Sequence, residues 1–271
     1  DEAGQISVAD LIVLGQIAKN IVLIGDQNQL GQPTKGSHPG LSGKSILEFL
    51  LGDLETIPQD RGIFLNRTYR LHPEINEFTS SSFYENRLIA DEQTKNRKIS
   101  TKDKSFFSKS GIYYLDMSHE DNIQTSQEEC NKIIKIVEGF VGQDYFDGKN
   151  NRKITIEDIL IISPYNAQVN AISFNLKNKN ARVGTIDKFQ GQEAPITIIS
   201  MTSSDPDNLP RNKEFFFSRN RLNVAISRAQ CISIILFNSN LLKFMPKTYE
   251  QVKLINNFIK IKNKYGYGKD D

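Results

Sequence analysis

Three short runs in the second half of the chain, "DILIIS", "APITIIS" and "CISIILF", are apolar at nearly every consecutive position rather than at alternate ones. A strand with one face in water alternates. A strand apolar on both faces must be covered from both sides, the condition met in a parallel sheet with crossover helices above and below it. The same criterion, relaxed for length, reads strands at 20–26, 62–65, 111–116, 158–165, 182–187, 194–200 and 231–237. Between them, apolar residues at helical spacing mark 6–18, 44–51, 73–84, 126–142, 166–178, 219–229 and 248–262. Strand alternating with helix predicts an α/β fold, a parallel sheet flanked by helices.

The 271 residues can bury a sizeable core without a staple. Cys130 and Cys231 fit no disulfide framework and no CxxC pattern, so packing in a reducing, cytoplasmic compartment is expected. Thirty-four basic residues against 32 acidic ones neither demand nor exclude a nucleic-acid partner, since a basic groove can hide in a balanced total. No apolar run has the length of a membrane span, and no signal peptide is expected. The stretches 91–105 and 147–153 and the tail "NKYGYGKDD" are polar and read as surface connections, and 52–62 interrupts the pattern as a domain boundary would.

"GLSGKS" at 40–45 invites a phosphate-loop reading. Such a loop needs G-x-x-x-x-G-K-[ST] between a buried strand and a helix, so that backbone N–H groups wrap the phosphates. Five positions before Gly43 stands His38, and upstream lies a turn-rich loop, "GQPTKGSHPG". The expectation is a plain helix start, with Ser42 as its cap, and Lys44→Ala is expected to have little effect on nucleotide binding. An independent NTPase using Lys44 ranks last.

Other residues still point to a phosphate. Asp1 and Glu2 in "DEAGQ" pair carboxylates as an NTPase does to hold Mg²⁺ and orient a water, although adjacent acids are usually just solvated. "NIVLIGDQNQL" places Gly25, Asp26 and Gln29 after an apolar run, and "LNRTYRLHPEI" places Tyr69 and Arg70 before a helix started by His72. "TIDKFQGQEAP" sets Gly191 and Glu193 between two strands, and "RNRLNVAISRAQ" ends a helix on Arg228. Arg228 reads either as an arginine finger or as a surface charge complementing the helix dipole.

In this order the segments resemble the signatures of the superfamily 1B helicases, the group of the nonsense-mediated-decay RNA helicase and senataxin. "DEAGQ", "GDQNQL", "YRLHPEI", "SPYNAQ", "TIDKFQGQE" and "NVAISRA" carry the likeness across residues 1 to about 240. The resemblance implies a RecA-like P-loop NTPase fold in two lobes, with ATP and Mg²⁺ in the cleft and single-stranded DNA or RNA as partner. It implies Asp1 on the metal, Glu2 on the attacking water, Gln29 sensing the γ-phosphate, and Arg70 and Arg228 reaching it from the second lobe. It further implies Tyr69 against adenine, Gly191 and Glu193 on the ribose or phosphate side, and Ser163, Pro164, Tyr165 and Thr185 along the nucleic-acid track.

Departures are Pro33, displaced by two residues, Pro195 where an acid is usual, and Ser227 for Thr. The resemblance places the phosphate loop upstream of "DEAGQ", so the chain reads as a fragment: residues 1–60 a remnant of the first lobe, 61–271 a complete second lobe. The segment around "GQPTKGSHPG" also resembles bacterial proteins that join a RecB-like nuclease to such a helicase. The expected function is the C-terminal part of an ATP-dependent 5′→3′ helicase, inactive without its phosphate loop. The rival is a non-catalytic RecA-like nucleic-acid- or protein-binding module.

Overall fold

A computed structural model describes residues 1–32, 36, 38–103, 106–178, 180–210 and 213–266, with Glu250 by its backbone alone. Pro33 and the last five residues of the tail lie outside these. The strands in chain order are β1 (Arg67–Thr68), β2 (Ile89–Ala90), β3 (Lys98–Ser100), β4 (Gly111–Asp116), β5 (Asp144–Phe146), β6 (Asn151–Lys153), β7 (Ile159–Ile162), β8 (Arg182–Gly184), β9 (Ala194–Ser200) and β10 (Ala229–Phe237). The helices are α1 (Val8–Gly15), α2 (Ile46–Leu51), α3 (Pro73–Phe83), α4 (Gln127–Phe140), α5 (Asn166–Leu176), α6 (Lys213–Phe216), α7 (Arg219–Ser227) and α8 (Tyr249–Tyr265).

Five strands form the central sheet in the order β4-β10-β9-β7-β8, every neighbour pair parallel. Its consecutive apolar residues divide between two cores. Ile159, Ile161, Ile196, Ile198, Ile232 and Ile234 pack with α4 and α5. Leu160, Ile162, Ile199, Ile235 and Phe237 face the other way, against α3, α7 and α8. The period of two within an all-apolar run is what a sheet covered on both faces requires. The fold is thus the expected mixed α/β architecture.

Four expectations need correction. Residues 20–26 join no ladder; one rung, from the Ala3 N–H to the Ile24 carbonyl at 2.9 Å, ties them to the chain start. Residues 62–65 are not a strand either, and pairing begins only at β1, parallel to β2. The "surface connections" at 91–105 and 147–153 contribute β3 and β6 to a three-stranded antiparallel sheet, β3-β5-β6. β3 and β5 each bury one residue, Ile99 and Tyr145, between more exposed neighbours and β6 buries none, too short a pattern to see in sequence. Helix α8 also extends further than expected, to Tyr265.

Residues 1–60 make a small core of their own around Ala3, Ile46 and Leu47. Much apolar surface there stays uncovered: Ile12, Val13, Ile17, Val22 and Ile24 are each more than half exposed. Yet the segment is docked on the rest of the chain. Asn28, itself buried, donates through Nδ2 to the carbonyls of Glu55 at 2.7 Å and Phe83 at 2.9 Å. Asn220 of α7 donates to the carbonyls of Gln27 and Gln29 at 2.9 and 2.6 Å. Arg219 reaches the Ser82 carbonyl at 2.6 Å and the Glu55 carboxylate at 2.7 Å.

At the far end of β9, Thr202 is buried with φ +71, a left-handed conformation that strains a β-branched residue. The fully buried carboxylate of Glu129 on α4 holds it there, accepting from the Thr202 N–H at 3.0 Å and from the Ser200 hydroxyl at 2.5 Å. His119 Nε2 lies 3.3 Å from the same carboxylate.

Candidate nucleotide site

The phosphate-loop look-alike resolves as a helix start. Ser45 caps α2, its hydroxyl accepting from the Glu48 N–H at 3.2 Å while the Glu48 carboxylate accepts from the Ser45 N–H at 2.8 Å. That reciprocal capping box occupies the hydroxyl that would hold Mg²⁺. Ser42, expected as the cap, instead donates to the Pro39 carbonyl at 2.7 Å. Lys44 is exposed.

Three of the residues singled out for phosphate chemistry, Arg70, Glu193 and Arg228, meet elsewhere, at the amino ends of β9 and β10. Glu193 immediately precedes β9 and Arg228 immediately precedes β10. Arg228 ends α7, where its backbone N–H bonds the Ile226 carbonyl. Its side chain is buried at 2% exposure. One Nη1 donates to the Gln192 carbonyl at 3.1 Å, while Nε has no hydrogen-bond partner. Burial, reinforced by the charge of Arg70, pushes the Arg228 guanidinium down to about 10; Glu2 and Glu193 oppose that shift.

Arg70 comes from the segment between β1 and α3. Its Nε donates to Glu193 Oε2 at 2.5 Å and its Nη1 to the Ser227 carbonyl at 3.3 Å. Gln230 donates to Glu193 Oε1 at 2.7 Å, and the Tyr145 hydroxyl donates to Gln230 at 2.9 Å. Burial works to raise the Glu193 carboxyl, but the Arg70 bond and charge, with Gln230, outweigh it and hold it below the usual range. Arg97 donates to the Arg70 carbonyl at 2.5 Å and the Asp147 carbonyl at 3.2 Å, so the antiparallel sheet braces this segment from behind. Gly191 takes φ +74 in the turn before Glu193, which a side chain would strain. Tyr69 is 66% exposed beside the cluster.

From the first 60 residues, "DEAGQ" and the "GD" turn lie against each other so closely that a Cβ on Gly25 would stand 2.7 Å from the Ala3 nitrogen. Asp1 and Glu2 are exposed. Gln29 is half-buried, its Nε2 donating to Asp26 Oδ2 at 3.0 Å. His72 caps α3 through Nδ1, which accepts from the Glu74 N–H at 3.3 Å, the structural role expected of it.

The residues expected on the nucleic-acid track lie at the opposite edge, past the carboxyl ends of β7 and β8. The seven residues of β9 separate the two edges by about 20 Å. Ser163 and Tyr165 are buried, Ser163 with its hydroxyl 3.1 Å from that of Thr202; Pro164 and Thr185 are half-buried. Sequence reasoning missed Gln230, Tyr145, Arg97, Tyr84, Asn220 and Asn223. Only the two asparagines carried a trace, as poor helix formers kept within a helix.

Residues 44–240 match the AAA_12 family, an AAA domain. The chain is 30% identical over 241 residues to the DNA polymerase alpha-associated DNA helicase A of Schizosaccharomyces pombe, covering 85% of this chain and 35% of that protein. It is 29% identical over 279 residues to the DNA replication ATP-dependent helicase/nuclease dna2 of the same organism, covering 94% and 20%. It is 32% identical over 267 residues to regulator of nonsense transcripts 1 of Dictyostelium discoideum, covering 91% and 19%. The chain therefore spans about a third or less of these relatives. Among solved structures, the PRRSV helicase overlays with a TM-score of 0.43 at 15% identity, covering 88% of this chain and 34% of that one. The matched segment and these relatives together show that the chain belongs to the AAA-domain family of superfamily 1 helicases.

Proposed function

We propose that this chain is the part of an ATP-dependent helicase that closes over the outer phosphates of bound ATP and transmits their loss to a single-stranded DNA or RNA. The observation that carries the proposal is Arg228. A buried guanidinium without a full set of acceptors costs free energy, because a charge taken out of water is left incompletely compensated. A phosphate supplies the missing acceptors, and in a site of low dielectric the attraction is strengthened.

Arg70 and Arg228 then serve as the paired cations on the γ-phosphate, with Glu2 orienting the attacking water and Gln29 reporting on the phosphate. Tyr69, exposed beside them, offers a face for the adenine, and Glu193 with the Gly191 turn would contact the ribose. The chemistry of this donor set, two guanidiniums and an amide against carboxylates, suits a nucleotide. Among the described residues no cluster of three His, Cys, Asp or Glu side chains could hold a metal by itself. That suits Mg²⁺, which binds one or two carboxylates plus the nucleotide's own phosphates, and Asp1 is the residue for it.

The phosphate loop belongs upstream of "DEAGQ" on this reading, and a further part of the first lobe covers Ile12, Val13, Ile17, Val22 and Ile24. The nucleic acid runs past Pro164 and Thr185. The test is ATP turnover by the intact protein, with and without single-stranded DNA or RNA, beside Arg228→Ala. Turnover stimulated by nucleic acid and reduced about 10³-fold or more in the variant is expected. Binding of nucleic acid with no turnover, or turnover indifferent to Arg228, would leave a binding module instead.

A further inference from the structure

An unbroken chain of polar side chains joins the amide of Gln29 to the helix that precedes Arg228, through Asp26, Tyr84 and Asn223, none of which is among the nucleotide contacts above. Gln29 Nε2 donates to Asp26 Oδ2 at 3.0 Å. The same oxygen accepts the Tyr84 hydroxyl at 2.6 Å. That hydroxyl accepts from Asn223 Nδ2 at 2.9 Å, and Asn223 also holds the Asn28 carbonyl at 2.9 Å. Asn223 sits on α7, whose last residue precedes Arg228.

The chain is expensive to keep. Tyr84 is 8% exposed and Asn223 is fully buried, and polar groups there cost free energy unless paired. Asn223 even leaves its Oδ1 buried without a hydrogen-bond partner. If α7 needed only to pack against the "GDQNQ" loop, apolar side chains of similar shape would do so without that cost. A hydrogen-bonded chain differs from apolar packing in one respect: it responds when a donor at its end is withdrawn. Asp26 has three donors, the Asn28 N–H, the Gln29 amide and the Tyr84 hydroxyl. A phosphate that draws the Gln29 amide away leaves two, and the carboxylate then redistributes its pull onto Tyr84.

We propose that Tyr84 is a positioning residue whose hydroxyl couples the contacts of the Gln29 side chain to helix α7 and so to the setting of Arg228. The proposal rests on the functional reading above for the roles of Gln29 and Arg228. The coupling itself concerns side chains of this chain and needs no nucleotide to be measured.

The experiment follows the Arg228 Nε–H resonance by NMR in the 271-residue chain, a buried donor with a signal of its own. Gln29→Ala is made in the wild-type background and in Tyr84→Phe, which removes only the hydroxyl. The expected result is a displaced Arg228 resonance on Gln29→Ala in wild type and no displacement when Tyr84→Phe is already present. Asn223→Leu, which severs the chain on the other side of the hydroxyl, gives a second background should Tyr84→Phe fail to fold, and it is expected to abolish the displacement likewise. A displacement that persists in either background overturns the proposal, as does a Gln29→Ala substitution that leaves Arg228 unmoved in wild type. Absent ATP turnover would count against the functional reading and leave this measurement intact, so the two failures are distinguishable.

Discussion

Gly25→Ala is the sharpest test of how the site is assembled, because the obstruction is backbone. The new Cβ would lie 2.7 Å from the Ala3 nitrogen and 3.0 Å from the Gly4 nitrogen, the first contact 0.7 Å short of the 3.4 Å at which ordinary contact begins. A clash with Leu47 Cδ1 at 3.0 Å can be relieved by a side-chain rotation. The two nitrogens cannot rotate away. The arm "DEAGQ" must therefore lift from the "GD" turn, breaking the 2.9 Å bond from the Ala3 N–H to the Ile24 carbonyl. Overpacking costs about 1–3 kcal/mol and the lost bond about 1 kcal/mol, so the arm is destabilised locally by about 2–4 kcal/mol. At tenfold for every 1.4 kcal/mol, the Ala3 amide should exchange with solvent about 30- to 700-fold faster. Amides of β9 and β10 are the internal control and should not change. Displacement on the order of 1 Å at Glu2 should also lower turnover of the intact protein by about 10²-fold. Unchanged exchange at Ala3 would show that the arm is not seated as described, and unchanged turnover would remove Glu2 from the proposed chemistry.

Three further outcomes are expected. Arg228→Met removes a buried charge whose Nε has no acceptor but strands the Gln192 carbonyl, so the free energy of unfolding in a urea titration should change by no more than about 1–3 kcal/mol, while turnover of the intact protein collapses. The Glu193 carboxyl is held below its ordinary 4.5, so its contribution to stability is present above that value and disappears as the pH falls through the lowered one. Thermal melts of wild type and Glu193→Gln should accordingly differ near neutrality and converge in acid. Glu129→Ala strands the Thr202 N–H and the Ser200 hydroxyl in the core and removes what holds the left-handed turn, a loss of about 3–5 kcal/mol by denaturant titration.

What the sequence discloses and what it hides follow from physical range. β7, β9 and β10 were legible because burial on both faces leaves few positions for a polar residue, and Thr197 and Ser233, buried there, bond each other at 3.0 Å. The run at 20–26 sends the same message, yet Val22 is 83% exposed: an apolar run states that it wants covering and cannot state what covers it. β3, β5 and β6 escaped because three-residue strands with charged outer faces look like loops. At the site, Arg70, Glu193 and Arg228 could be picked out as separate motifs, and the structure bonds Arg70 to Glu193 and Arg228 to the Gln192 carbonyl, one residue before Glu193. Tyr84 and Asn223 could not be found that way. Tyr84 meets Asp26 across 58 residues and Asn223 across 139, and nothing local marks either as half of a pair.

The ion pair between Arg70 and Glu193 has a thermodynamic consequence of its own. Arg70 already possesses an anion, tethered at 2.5 Å and present whatever the nucleotide concentration. On the proposed role of Arg70, a phosphate that comes to it must displace an intramolecular competitor, so the observed affinity is the intrinsic affinity multiplied by the fraction of time the arginine is free. On that proposal the same exchange would run in reverse after hydrolysis: as the phosphate weakened its hold, the carboxylate would reclaim the guanidinium without waiting for anything to diffuse in. The one contact would then make binding weaker and release faster, the setting of a site that turns its nucleotide over rather than storing it.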